Sequence, residues 1–207
     1  MTIITRASKG SALTYGEVDG NFTQINTKIA DGWKDLVCGL DVRSGASSPV
    51  LTNFRDGIYL WEFSSSVLME FFANAHVGHD YKVGTMLYPH IHWTVNTASA
   101  GTVRWGYEYT WARRHDSTGQ VHFPATQTIY VEQATDGGAY GHYVAEMAEG
   151  FGVPADTIEV DTLILFRVFR DAAHPNDTFP DPVFGFTFDL HYECNRDATP
   201  LRAPPFY

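Results

Sequence analysis

The chain has 207 residues and a formal net charge of -10, with 14 Lys and Arg residues against 24 Asp and Glu residues. This acidic balance argues against general binding to nucleic acid, because the phosphate backbone would repel it. With 44% hydrophobic residues the chain can bury the core of one domain plus a short arm, and no apolar run approaches the roughly 20 residues that a membrane-spanning helix needs.

The first predicted element is a helix that follows a short polar segment. Residues 1–12 are small and polar, lack the apolar segment of a signal peptide, and should be extended, or disordered until they dock. Thr14 and Glu17 have the spacing of a capping box, and Leu13 and Val18 have that of a hydrophobic staple. The helix should therefore begin at this point.

This helix carries one apolar seam. The seam residues recur at spacings of four, three and four on an otherwise polar helix, and they are Val18, Phe22, Ile25 and Ile29. A glycine C-cap at Asp31-Gly32 should end the helix. An isolated helix of this length is marginal in water, so the seam must pack against something. The sequence leaves open whether that is the body of the same chain or two further copies of the helix.

Strand patterns dominate the rest of the chain. Residues 33–42 are either a first strand or a covering segment, and residues 44–49 have the composition of a linker. Seven or eight strands are predicted beyond them, including 58–63, 67–72, 85–95, 102–111, 127–133, 163–170 and 183–193. We predict an all-β fold, with an antiparallel jelly-roll-like β-sandwich body, a short N-terminal α-helix and an extended arm.

Local features add detail to this body. Three serines separate residues 58–63 from 67–72, which should form a hairpin, and Pro89 indicates an edge strand or a bulge. Residues 140–149 are consistent with a short helix. The predicted units are residues 1–32 for attachment and trimerisation, 33–49 as a linker or first strand, and 50–207 as the sandwich body.

Aromatic residues alternate along two predicted strands. Between 102 and 111, one face consists of Val103, Trp105, Tyr107, Tyr109 and Trp111. Such a face fits the core of a sandwich better than an exposed platform for carbohydrate. Between 183 and 193, one side is predicted to hold Phe184, Phe186, Phe188, Leu190 and Tyr192, and the other Thr187, Asp189, His191 and Glu193.

Cys38 and Cys194 are the only cysteines. They are far apart in sequence, and the chain shows no export signal. We expect two buried or half-buried free thiols rather than a disulfide.

Two histidines are the best candidates for metal ligands. His90 and His92 lie two residues apart on a predicted strand, so both side chains point the same way. With Gly84 before them, the pair resembles the first motif of cupins, which implies a metal-dependent enzyme with a carboxylate ligand. The expected glutamate is missing, and Glu108 on a neighbouring strand is the substitute candidate.

Two other interpretations of His90 and His92 stay open. In a trimer they would offer six imidazoles to one ion on the three-fold axis. The interpretation we favour makes both of them half-buried hydrogen-bonding residues, so no metal or other cofactor is predicted. Similarly, His76, His79 and Asp80 should be solvated or salt-bridged, and the WARRHD run at 111–116 should be a solvated turn.

The N-terminal segment resembles a known family. The pattern of this family is Thr-Arg, then Lys-Gly, then Leu-Thr, then an acidic pair that leads into Asn-Phe. In this chain the matching residues are Thr5, Arg6, Lys9, Gly10, Leu13, Thr14, Glu17, Asp19, Asn21 and Phe22. The run from 4 to 26, about a ninth of the chain, is similar to the opening segment of many tailed-bacteriophage fibre and appendage proteins. Gly20 stands where that family more often has alanine.

The resemblance implies a structural protein of a virion rather than an enzyme. We expect a homotrimeric short fibre, knob or appendage, assembled in the host cytoplasm and docked on the tail or head. The expected partners are further copies of the chain, neighbouring tail, portal or capsid proteins, and a host surface glycan, but neither nucleic acid nor a membrane. The attachment and oligomerisation residues would be Thr5, Arg6, Leu13, Thr14, Glu17, Val18, Phe22, Ile25 and Ile29. The alternatives are a capsid decoration protein and a cupin-like metal-dependent enzyme that uses His90 and His92.

Overall fold

A computed structural model of the chain describes residues 3–29, 32–114, 121–152 and 158–195. The helices in these ranges are α1 (Arg6–Lys9) and α2 (Tyr15–Ile29). The strands are β1 (Gly32–Asp41), β2 (Val50–Arg55), β3 (Ile58–Phe63), β4 (Met69–His76), β5 (Leu87–Thr94), β6 (Thr102–Ala112), β7 (Gln127–Ala134), β8 (His142–Glu146), β9 (Leu163–Arg170) and β10 (Val183–Cys194). Every pairing between these strands is antiparallel, which confirms the all-β prediction.

The strands from β3 to β10 are arranged as a jelly roll. Sheet A has the order β3-β10-β5-β8, and sheet B has the order β4-β9-β6-β7. Eight strands divided in this way between two antiparallel sheets are the two Greek keys of a jelly roll. The predicted β-sandwich body is therefore confirmed.

Two further strands extend the sandwich. Residues 32–38 of β1 pair with β10 in sheet A, and residues 39–41 pair with β4 in sheet B, so β1 joins the two sheets. β2 pairs with β3 at the edge of sheet A. The segment at 33–42 is thus a strand and not a covering segment.

Three local predictions about the body are wrong. β3 and β4 do not form a hairpin, because the serine run between them carries the chain from sheet A to sheet B. Residues 140–149 contain β8 instead of a helix. β5 is not an edge strand, since it lies between β10 and β8. The Pro89 carbonyl accepts from the Met147 N–H just beyond the end of β8. The side of Pro89 that lacks an N–H therefore faces the end of the β5–β8 ladder, where proline is tolerated.

The alternation predicted for β10 holds only beyond a bulge. The register shifts between Gly185 and Thr187, which adds one residue and changes the face on which the preceding side chains lie. Phe186 therefore lies on the outer side of sheet A, with its ring centroid 5.4 Å from that of His142. After the bulge, Phe188 and Leu190 face the core as predicted.

The core between the sheets is mainly aromatic. Trp105 of β6 packs edge-to-face on Phe63 and lies beside Trp93, with ring centroids 5.1 Å and 6.1 Å apart. Tyr107 packs on Phe188 at 5.7 Å, and all five side chains are fully buried. Each such pair adds about 0.5–1.5 kcal/mol beyond the burial of its area. The aromatic face of β6 is core, as predicted, and not a carbohydrate platform.

Both cysteines are buried and free. Cys194 pairs in the ladder with Gly32, six residues along β1 from Cys38, which separates the two thiols by about 20 Å. Burial, and secondarily the charge of Asp189, raises the pKa of the Cys38 thiol to about 12. The prediction of two unpaired thiols agrees with this placement.

A buried ion pair fixes the connection between β9 and β10. Arg170 is fully buried, and it donates to both carboxylate oxygens of Asp177 at 2.9 Å and 2.7 Å. It also donates to the carbonyls of Phe179 and Asp181, both at 2.8 Å, while Asp177 accepts from the Arg104 N–H at 3.0 Å. Every charge in this group therefore has hydrogen-bond partners, as burial requires.

Replacing Asp177 by Asn should destabilise the fold by about 3–5 kcal/mol, because it leaves the Arg170 charge buried without its anion. Urea unfolding followed by circular dichroism measures the loss. The matched control is Glu193→Gln, which breaks a half-exposed pair with Lys82 at 3.0 Å and should cost less than about 1 kcal/mol. Equal losses in the two variants would contradict this account of the connection.

Candidate functional site

The residues that resemble the phage segment build a helical hairpin. α1 is one turn, capped by mutual hydrogen bonds between Thr5 and Ser8 and ended by Gly10 in the left-handed conformation, at φ 73°. The expectation of an extended arm is therefore wrong for residues 6–9. The spacing of Thr5 and Ser8 before a glycine was the sequence signal for this turn.

Hydrogen bonds between motif residues join α1 to α2. The Lys9 ammonium pairs with the Glu17 carboxylate, and the Asn21 amide exchanges two hydrogen bonds with the backbone of Ile4, at 2.8 Å and 2.6 Å. The predicted capping box is present, since the Thr14 N–H donates to Glu17 at 2.7 Å and the Glu17 N–H donates to the Thr14 hydroxyl at 3.3 Å. Lys9 and Thr14 together lower the pKa of Glu17 to about 2.

The apolar seam of α2 is largely open to solvent. Phe22 is 62% exposed and Ile25 is 37% exposed, whereas Val18 and Leu13 are half-buried. The side chain of Ile29 and the C-cap expected at Asp31 lie outside the described residues. Of the two open interpretations of the seam, packing on the body of the same chain does not occur at Phe22.

The outer surface of sheet A carries a second cluster, which we call the histidine face. Its residues come from β1, β5, β8 and β10, and they are Asp35, His90, His92, His142, Glu146, Asp189 and His191. The strand register places Glu146 and Asp189 on either side of His90, and Asp35 opposite His191. Side chains two residues apart share a face of the sheet, so the set faces one way.

His90 lies at the centre of the histidine face and is fully buried. Its Nδ1 is 3.2 Å from the Tyr88 carbonyl oxygen. Its Nε2 has no hydrogen-bond partner and lies 4.0 Å from Oδ2 of Asp189. Its ring centroid is 4.1 Å from that of His191.

The other histidines are each held by neighbours. Nε2 of His92 is 3.3 Å from Oδ2 of Asp189, and its Nδ1 is 2.8 Å from Nε2 of His142. His191 contacts Glu146 through Nδ1 and lies 2.8 Å from Asp35 through Nε2. The cluster thus combines four imidazoles and three carboxylates from four strands.

Burial lowers the pKa values of His90 and His92. For His90 the charge of His191 lowers the pKa further, whereas the Tyr88 carbonyl, Asp189 and Glu146 oppose the shift. For His92 the second cause is the charge of His90, again opposed by Asp189. Both rings are therefore disposed to be neutral near pH 7, with a nitrogen lone pair available for a ligand.

Glu108 does not belong to this cluster, so it is not the third ligand that the cupin-like alternative needs beside His90 and His92. β6 lies in sheet B and β5 in sheet A, and Glu108 accepts from the Arg167 guanidinium at 2.8 Å and from the Thr126 hydroxyl at 2.7 Å. The six-imidazole arrangement also loses its support at His90, because that ring is buried by its own chain and is not open to a neighbouring copy.

A groove opens beside the histidine face. It is lined by Trp33, Tyr88, Glu146 and His191 and has a volume of about 430 Å³. The Trp33 side chain is 59% exposed, and its ring centroid lies 5.6 Å from that of Tyr88. The groove therefore combines an exposed aromatic surface with a carboxylate and an imidazole.

The remaining sequence candidates lie elsewhere. His76 and His79 lie 3.2 Å and 3.5 Å from the Asp161 carboxylate, and Asp80 pairs with Lys34, which agrees with the salt-bridged interpretation. Of the basic turn at 111–116, the last two residues lie outside the described part of the chain. Within the described ranges, no helix is both long enough and apolar enough to cross a bilayer.

Comparisons with known proteins give only distant structural similarity. No protein-family model and no curated protein matches the chain. Among solved structures, a carbohydrate-binding module specific for non-crystalline cellulose (CBM28) is 11% identical, with a TM-score of 0.29 over 71% of this chain and 83% of that one. A second is the Clostridium thermocellum xylanase 10B fragment that contains the CBM22-1 and GH10 modules with xylohexaose, at 13% identity and a TM-score of 0.31 over 79% of this chain and 25% of that one.

A third structure is the TmCBM61 module in complex with β-1,4-galactotriose, at 11% identity and a TM-score of 0.27 over 78% of this chain and 86% of that one. All three TM-scores lie below 0.5. The fold assignment therefore depends on the strand order of the two sheets and not on these similarities.

Proposed function

We propose that the chain is a structural protein of a tailed-phage virion, in the form of a homotrimeric short fibre, knob or other appendage docked by residues 1–32 on the tail or head. The observation that carries this proposal is the N-terminal hairpin. The residues that resemble the phage segment bond to one another, and the apolar seam of α2 is left open at Phe22. The motif thus makes a self-contained docking element attached to a separate β-sandwich body.

The seam supports trimerisation through like helices. Its four-three-four spacing is the heptad pattern of helices that pack on further helices, and polar residues cover the rest of α2. Phe22 and Ile25 would lose most of their exposed surface in such a bundle, at about 25 cal/mol per Å² of apolar area buried. The partners of the seam are then two further copies of the chain, and the virion protein contacts the outside of the bundle.

The alternatives differ in how well the geometry supports them. A capsid decoration protein uses the same arm and body, and it differs only in the position on the particle. A cupin-like enzyme with Glu108 as third ligand loses its support, because Glu108 lies in the other sheet and pairs with Arg167. The proposal therefore keeps the structural role, with no enzymatic activity.

The trimer is tested by the double variant Phe22→Ser with Ile25→Ser. Light scattering with size-exclusion chromatography at micromolar concentration should give a trimer for the unmodified chain and a monomer for this variant, because the seam has lost its apolar contacts. Asn26→Ser, an exposed polar position on the same helix, is the matched control and should stay trimeric. A monomeric unmodified chain, or a trimeric double variant, would contradict the proposal.

A second function, glycan binding by the body, is favoured by the groove at Trp33. Exposed aromatic rings stack on the apolar faces of sugars, and the neighbouring Glu146 and His191 can bond to hydroxyl groups. In a trimer, three such grooves would multiply a weak contact through effective concentration. A host surface glycan is the ligand that this arrangement fits.

On a glycan array, Trp33→Ala should weaken binding by up to about tenfold, which is the value of one aromatic contact. The matched control is Tyr59→Ala, which removes an exposed aromatic ring of β3 that does not line the groove. If the unmodified chain binds no glycan, or if both variants bind as it does, the groove is not a glycan site.

A further inference from the structure

We propose that His90, His92 and Asp189 form a binding site for one divalent transition-metal ion per chain on the histidine face. The ligand atoms would be Nε2 of each imidazole and Oδ2 of the carboxylate. All three come from one chain and from two adjacent strands, β5 and β10. The inference does not depend on the virion assignment.

The first argument is the unsatisfied state of His90. A neutral imidazole has one N–H and one lone pair. If Nδ1 carries the proton, it donates to the Tyr88 carbonyl, and the lone pair of Nε2 faces the Asp189 carboxylate. If Nε2 carries the proton, the lone pair of Nδ1 faces the carbonyl oxygen. Either tautomer leaves two acceptors facing each other in a buried position, and a cation bound to Nε2 removes that conflict.

A second proton on His90 would also remove the conflict, but full burial of the ring opposes a permanent charge. A metal ion supplies the same positive charge and shares it with the Asp189 carboxylate. The tautomer that leaves Nε2 free for metal is the one in which Nδ1–H donates to a backbone carbonyl. This is the usual orientation of histidine ligands in metal sites.

The second argument is that the other two ligands are also held by outer partners. Nδ1 of His92 is engaged by His142 at 2.8 Å, which leaves its Nε2 toward Asp189. Oδ1 of Asp189 accepts from the Thr187 hydroxyl at 2.6 Å, which leaves Oδ2 toward the imidazoles. Each ligand therefore uses one atom for orientation and offers the other to a common point, as second-shell contacts in metal sites do.

The distances fit a small ion after modest movement. Metal–nitrogen bonds of about 2.0–2.1 Å in tetrahedral geometry place neighbouring ligand atoms about 3.3 Å apart. Nε2 of His92 and Oδ2 of Asp189 are 3.3 Å apart already, and Nε2 of His90 is 4.0 Å from the same oxygen. All three potential ligand atoms lie within 4.8 Å of one another. Movement of the His90 side chain toward Oδ2 of Asp189, from 4.0 Å to about 3.3 Å, brings this pair to the metal-site spacing as well.

The donor set determines the class of ion. Two imidazole nitrogens and one carboxylate oxygen suit Zn²⁺, Co²⁺, Fe²⁺ and similar first-row ions, whereas Mg²⁺ and Ca²⁺ prefer oxygen ligands only. Three protein ligands leave at least one coordination position for water. Because β5 is hydrogen-bonded on both sides, to β10 and β8, the backbone holds the ligands in place before metal binds.

The test is Zn²⁺ binding by the full chain without a histidine tag, measured by isothermal titration calorimetry at pH 7.5. The expected result is one Zn²⁺ per chain, with affinity at least about tenfold lower in His92→Ala and in Asp189→Asn. The control is His76→Ala, which removes an exposed histidine that lies beside the Asp161 carboxylate, away from the histidine face. Among the described residues, His76 belongs to no group of three ligand atoms that lie within 4.8 Å of one another. Circular dichroism verifies the folding of each variant.

Nitrogen-15 NMR of the unmodified chain gives an answer that does not require a variant to fold. Zn²⁺ should shift Nε2 of His90 and of His92, while their Nδ1 atoms keep their protons. The proposal is overturned if no Zn²⁺ binds, if His76→Ala, His92→Ala and Asp189→Asn bind alike, or if the NMR signals identify His90 as a doubly protonated ring that does not respond to Zn²⁺. A stoichiometry of one Zn²⁺ per three chains would also overturn it.

Discussion

The pairing of β10 with strands on both of its edges is the constraint on which most of this structure depends. Along one edge β10 pairs with β5, and along the other it pairs with β3 and then with β1. Because β1 continues into sheet B, the same strand also ties the two sheets together. The inner side chains of β10 complete the aromatic core, and its outer side chains complete the histidine face. A single long strand thus supplies both the stability of the sandwich and the residues of its most distinctive surface.

The class of the fold could be predicted from the sequence because it depends on local patterns. Alternation along β6 separates core from surface residue by residue, and Trp105 and Tyr107 are buried where that pattern places them. The capping box at Thr14 is likewise a local pattern and is present. The failures concern information that is not local. Whether the serine run after β3 turns back or crosses to the other sheet depends on which strands pair, and no periodicity encodes that choice.

The candidate site, like the fold, could be predicted only where it depends on local patterns. The alternation of Asp189 and His191 on one side of β10 was visible, as was the shared direction of His90 and His92, but their proximity arises only when β5 pairs with β10. Glu108 was chosen as the nearest carboxylate on a neighbouring strand, and the wrong choice followed from assuming that consecutive strands are neighbours. His142 and Glu146 were missed because their segment was interpreted as a helix, which would not pair with β5 in sheet A as β8 does.

In the proposed function, the N-terminal hairpin docks the chain on the virion and the β-sandwich body presents its surface to the host. The measurement that tests this most directly is the amount of chain in purified phage particles, determined by mass spectrometry for the full chain and for a chain that lacks residues 1–32. The account predicts that the full chain is incorporated and that the truncated chain, although folded in the lysate, is absent from particles. Equal incorporation of the truncated chain would contradict the attachment role of the arm.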